Sequence, residues 1–72
     1  MRLYYQDSDN KITPVDYVYD VDAALKIVNE YVVARTGKDA PYIKMWQEDK
    51  FETIKIDFGS WSEFFILKIY ED

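Results

Sequence analysis

Residues 51–70 read FETIKIDFGSWSEFFILKIY, and this stretch decides the fold. Apolar and polar residues alternate through Ile54, Lys55, Ile56, Asp57 and Phe58, and then Phe64 to Tyr70 are dominated by aromatic and branched side chains. Such residues suit a pleated, half-buried strand. Between the two runs stands Gly59-Ser60, whose glycine offers the positive φ that a two-residue hairpin loop needs at its first position. The sequence therefore predicts strands over residues 51–58 and 61–70. A third strand over residues 42–47 joins them through Glu48-Asp49, a less favourable turn of the same length. Two-residue loops pair Phe58 with Trp61, Ile54 with Phe65, Ile43 with Ile54, and Trp46 with Phe51.

Side chains on a strand alternate between the two faces of the sheet. This register puts Ile43, Met45, Ile54, Ile56, Phe58, Trp61, Phe65, Leu67 and Ile69 on one side, which forms the expected core. The other side receives Tyr42, Lys44, Trp46, Phe51, Thr53, Lys55, Phe64, Ile66, Lys68 and Tyr70.

Upstream, one helix is expected over residues 21–36. Asp20 or Asp22 can cap its start, Arg35 suits its last turn, and Gly37 supplies the left-handed residue that ends many helices. At helical spacing Val21, Ala24, Leu25, Val28, Tyr31 and Val32 share a stripe, opposite Asp22, Lys26, Asn29 and Glu30. Before the helix, Asp7-Ser8-Asp9-Asn10 separates two short extended runs. A four-residue loop there sets Gln6 opposite Lys11 and Tyr5 opposite Ile12, with Leu3, Tyr5 and Ile12 on one face. Pro14 lacks a backbone donor and places the second run at a sheet edge. The order is β-β-α-β-β-β: an α+β two-layer sandwich, a mainly antiparallel sheet of four to five strands with one helix on one face, in a single domain spanning residues 1–72. One helix covers one face, so the second face is left without a cover.

Composition removes whole classes of chemistry. The 72 residues contain no Cys and no His, which excludes disulfides, thiolate nucleophiles, imidazole bases and zinc fingers. Fourteen acidic against nine basic residues give a net charge of −5, which disfavours a basic DNA-binding domain. The longest apolar run, Phe64 to Leu67, is far short of a membrane span, and Met1 to Asp7 has no signal-peptide pattern. A cytoplasmic protein that does not contact membrane is expected. Asp7 to Lys11 begins like a calcium loop, but Lys11, Ile12 and Val18 stand where its fifth, sixth and twelfth positions need a ligand, Gly and Glu. Asp16, Asp20 and Asp22 are explained by helix capping. Glu52, Asp57 and Glu63 lie on or beside strands in a domain with little room for a deep cleft, and neither glycine belongs to a phosphate-binding loop. No metal, no cofactor and no catalysis are expected.

The expected function is that of a non-enzymatic protein-binding module. Tyr42, Lys44, Trp46, Phe51, Lys55, Phe64, Lys68 and Tyr70 make an aromatic face studded with lysines, and an apolar surface rimmed with charge marks association. A homodimer formed sheet to sheet belongs to the same expectation. Asp16, Asp20, Asp22, Glu30, Glu48 and Asp49 form a second candidate, an acidic edge able to dock on a basic groove. The alternative is a nucleotide or single-stranded nucleic acid, with bases stacked on the rings and phosphates on the lysines. In size, acidity and lack of catalytic equipment the chain resembles the small accessory proteins that phages and mobile elements use to inhibit or adapt host proteins. That resemblance is one of class and implies a host protein as partner.

Overall fold

The computed structural model describes residues 1–48 and 52–71. Its elements are β1 (Arg2–Gln6), β2 (Ile12–Tyr17), α1 (Val21–Thr36), β3 (Lys44–Glu48), β4 (Thr53–Asp57) and β5 (Phe64–Lys68). All five strands form one antiparallel sheet in the order β2-β1-β5-β4-β3. The expected α+β architecture and element order are thus observed.

The topology explains why only one face is covered. β2 and β3 are the two edges, and α1 is the element that joins them. Five strands are about 19 Å across at the usual interstrand spacing. A helix of 16 residues is about 24 Å long, enough to carry the chain from edge to edge in a single crossing. The helix starts where Asp20 Oδ1 accepts the Ala23 N–H at 2.8 Å, and it stops where Gly37 takes φ 77° and donates its N–H to the Val33 carbonyl. Its buried residues Ala24, Val28 and Val32 pack on Leu3, Ile54, Ile56, Phe65 and Leu67. Leu3, Ile56 and Leu67 have no solvent exposure. Pro14 lies on the edge strand as expected.

Three registers differ from expectation. In the first hairpin Gln6 pairs with Ile12 and Tyr5 with Thr13. Asn10 adopts φ 65°, its N–H reaches the Asp7 carbonyl, and the Asp7 N–H reaches the Lys11 carbonyl. The loop is therefore three residues long with a left-handed third residue, and an odd shift moves Ile12 to the face opposite Tyr5. A bulge at Leu3/Tyr4 then changes the pairing so that Leu3 faces Asp16 and Arg2 faces Tyr17.

Between β4 and β5, Ile54 pairs with Leu67 and Ile56 with Phe65, two residues away from the two-residue-loop register. The connection is longer because its polar groups bond locally. Asp57 Oδ1 accepts the Gly59 N–H at 2.9 Å, and Ser60 Oγ accepts the Glu63 N–H at 3.1 Å. Trp61 is carried out on this loop and is fully exposed, not in the core.

Between β3 and β4, Trp46 pairs with Lys55 and Gln47 with Ile54, four residues from the expected pairing. Glu48 is a strand residue facing Thr53, not a turn residue. Asp49 and Phe51 lie outside the described residues. Met45 is on the helix side as expected, but it is 45% exposed because it sits on an edge strand beyond the helix's main contacts.

Candidate functional site

The shifts of two and four residues are even, so they leave every side chain of β3, β4 and β5 on its expected face. Lys44, Trp46 and Glu48 stand beside Thr53, Lys55 and Asp57, then Phe64, Ile66 and Lys68, then Arg2, Tyr4 and Gln6. Ile12, Pro14 and Tyr17 of β2 pair into the same face. No described helix lies on it, and α1 packs on the opposite side.

Trp46 and Phe64 meet edge to face at 6.3 Å between ring centroids. The indole is held by its Nε1–H, which donates to Glu48 Oε1 at 3.1 Å. Lys55, Lys44 and Arg2 lie over rings. Lys55 Nζ is 4.3 Å from the Phe64 centroid and Lys44 Nζ is 5.1 Å from that of Tyr42. Arg2 reaches two rings, Tyr4 at 5.3 Å and Tyr17 at 4.9 Å. Arg2 also pairs with Glu71 at 3.6 Å, and the Tyr4 hydroxyl donates to the same carboxylate. Lys68 donates to Thr53 Oγ1 at 3.2 Å, which satisfies a buried hydroxyl. Under this layer Ile66 is only 9% exposed, although no described helix covers it.

Of the residues nominated from sequence, Lys44, Trp46, Lys55, Phe64 and Lys68 come together on the strands. Tyr42 precedes β3 with Lys44 over its ring, and Tyr70 projects from the turn after β5. Phe51 is outside the described residues. The acidic candidates are not gathered in one place. Asp16, Asp20 and Asp22 follow one another along β2, the helix cap and the first turn of α1, whereas Glu48 is on the opposite edge strand. Glu30 lines a hollow of about 560 Å³ between α1 and β2 together with Thr13, Val15 and Ile27. Asp49 is outside the described residues. Among the described residues no three carboxylates converge as metal ligands would.

Arg2, Tyr4, Tyr17 and Glu71 were not indicated by sequence. Their arrival depends on β1 pairing with β5 and on the bulge in the first hairpin, both long-range outcomes. The one local signal was Asn10, a residue that tolerates the left-handed conformation.

The helix side carries a polar cluster that the sequence did not indicate either. Glu63 Oε1 accepts from the Tyr5 hydroxyl, from the Tyr31 hydroxyl at 3.2 Å and from Arg35 Nη1 at 2.8 Å. Arg35 also donates to the Tyr31 oxygen at 2.8 Å. The Tyr5 hydroxyl and Arg35 hold the Glu63 carboxyl below its ordinary pKa, against the opposing effect of burial. The Tyr5 phenol is raised, chiefly because its proton is shared with Glu63. Tyr31, Arg35 and Glu63 edge a hollow of about 420 Å³ with Val32, Pro41 and Phe58. Their donors and acceptors are engaged with one another, so the cluster ties β1, α1 and the β4–β5 connection together.

No family model matches this chain, and no curated protein or solved structure matches it.

Proposed function

We propose that the chain is a non-enzymatic protein-binding module that docks another protein on the open sheet face. The observation that carries the reading is Trp46: half-exposed, braced by Phe64 and hydrogen-bonded to Glu48 on a face with no described helix over it. A tryptophan fixed before binding loses little freedom when a partner arrives, which is what makes such residues effective anchors. Lys44 and Lys55 flank it, Lys68 lies further across the face, and the three favour a partner whose contact surface is apolar at its centre and acidic at its rim. The biological role that fits is inhibition or adaptation of a host protein in the cytoplasm, as with small proteins of phages and mobile elements.

The ring–cation contacts favour a protein over a nucleic acid. Base stacking needs free ring faces, while Tyr4, Tyr17, Tyr42 and Phe64 each already have a cation within cation–π distance.

Parallel capture from cells of the source organism with wild-type, Trp46→Ala and Lys55→Glu baits tests the proposal. The expected result is a protein retained by wild type and weakened by Trp46→Ala by about 2 kcal/mol, roughly thirtyfold, with the far-UV circular dichroism unchanged. Equal retention by all three baits defeats it. Tight oligonucleotide binding that falls steeply with salt would transfer the function to the nucleic-acid class.

A further inference from the structure

Exposed sheet edges are templates for another strand, and proteins guard them with proline, bulges or charge. This sheet guards its two edges unequally. β2 carries Pro14 and pairs with β1 through a bulge. β3, the opposite edge, reads Lys44-Met45-Trp46-Gln47-Glu48, has no proline, runs in unbroken register with β4, and is exposed at all five positions.

The same five residues are complementary to themselves. If β3 meets a second β3 antiparallel about a two-fold axis at Trp46, Lys44 faces Glu48 of the partner, Met45 faces Gln47, and the two Trp46 side chains lie opposite each other. Each lysine then sits between Asp57 of its own β4 and the partner's Glu48. A register centred on Met45 or Gln47 loses both charge pairs and leaves one end of the strand beyond the other's end. Opposite charges directly across a ladder stabilise it, and like charges destabilise it. Glu48 binds the Trp46 indole through Oε1, which leaves Oε2 for the incoming lysine.

We propose that two copies of this chain associate edge to edge through β3, in the register Lys44–Glu48, Trp46–Trp46 and Glu48–Lys44, forming one continuous ten-stranded antiparallel sheet. The axis is perpendicular to the sheet, so both helices lie on one side and the two open faces join on the other. The seam shares Lys44, Trp46 and Glu48 with the partner-docking face and sets the two Trp46 anchors side by side on the joined face, and its test requires no partner protein.

Sedimentation velocity across concentrations up to about 1 mM is the decisive measurement. Wild type is expected to shift from monomer to dimer as concentration rises. Lys44→Glu sets Glu against Glu, and Glu48→Lys sets Lys against Lys. Each variant alone is expected to weaken dimerisation about tenfold or more. An equimolar mixture of the two restores both charge pairs and is expected to dimerise at least as well as wild type, which no general loss of folding can imitate. Wild type remaining monomeric throughout, or a mixture no better than its components, overturns the proposal. So does a dimer indifferent to both charge variants but abolished by Phe64→Lys, because that pattern marks face-to-face packing.

Discussion

Asn10 sets the faces of β2 from a single dihedral angle. Its φ of 65° lies where most side chains clash with their own backbone, at a cost of about 1–2 kcal/mol for an ordinary L residue. Asparagine tolerates that region and glycine occupies it freely. Asn10→Gly should therefore keep stability within about 0.5 kcal/mol, whereas Asn10→Ala should lose about 1 kcal/mol, as measured by urea denaturation. Equal stability of the alanine variant would show that the loop can reach its register another way. Glu63 makes a second prediction at this scale. Its folded pKa is depressed, so its stabilisation is complete above the unfolded value of 4.5 and is lost as pH falls through the lower folded value. The advantage of wild type over Glu63→Gln, about 1–2 kcal/mol at neutral pH, should shrink progressively under acid. The Tyr5 phenol behaves in the opposite sense. Its pKa is raised above 10.0, so its contribution is full below that value and declines as alkali approaches the folded pKa. Tyr5→Phe should remove this alkaline decline, and denaturation at a series of pH values measures both limbs.

The turns show what a local pattern can and cannot determine. Alternation assigned Trp46, Lys55 and Phe64 to one face, and Asp20 and Gly37 bounded the helix, because pleat and capping are properties of neighbouring residues. Loop length is different, since it is settled by which side-chain oxygen captures which N–H. Asp57, Ser60 and Asp7 each made such a capture, and each moved a register. The displacements of two and four were harmless to the site, whereas the one-residue difference in the first hairpin transferred Ile12 to the other face. Trp61 was misplaced for the same reason: its pairing with Phe58 assumed a loop that Asp57 and Ser60 do not form. The glycines allow the turn geometry to be tested. A Cβ on Gly37 meets open space, so Gly37→Ala is penalised only by φ, about 1 kcal/mol. Gly59 combines φ 99° with Pro41 Cγ only 3.3 Å from the Cβ position, so Gly59→Ala should lose more, about 2 kcal/mol. Thermal denaturation of the pair should rank them in that order, and the reverse order would mean that the β4–β5 connection rebuilds easily.

At the scale of the whole molecule, one helix serves a sheet with two faces, and the two sides should respond differently to the same deletion. A domain of this length is stable by about 4–11 kcal/mol, so a single core truncation removes a large share. Leu67 is fully buried between sheet and helix. Leu67→Ala leaves a cavity that closely packed neighbours fill poorly, at a cost of about 2–5 kcal/mol. Ile66, its chain neighbour, is 9% exposed but points to the other face, between Tyr4 and Lys55 on the flanking strands. Among the described residues, the groups above it are side chains without a second backbone layer behind them. They can settle into the space, and water can reach what remains, so Ile66→Ala should cost less than half as much as Leu67→Ala in urea titrations with equal m-values. It should also loosen the support beneath Phe64 and Trp46, and weaken partner capture more than its effect on stability explains. Equal losses for the two variants would mean that the open face is packed as tightly as the core, and the surface offered to a partner would then be far smaller than the exposure of Trp46 implies.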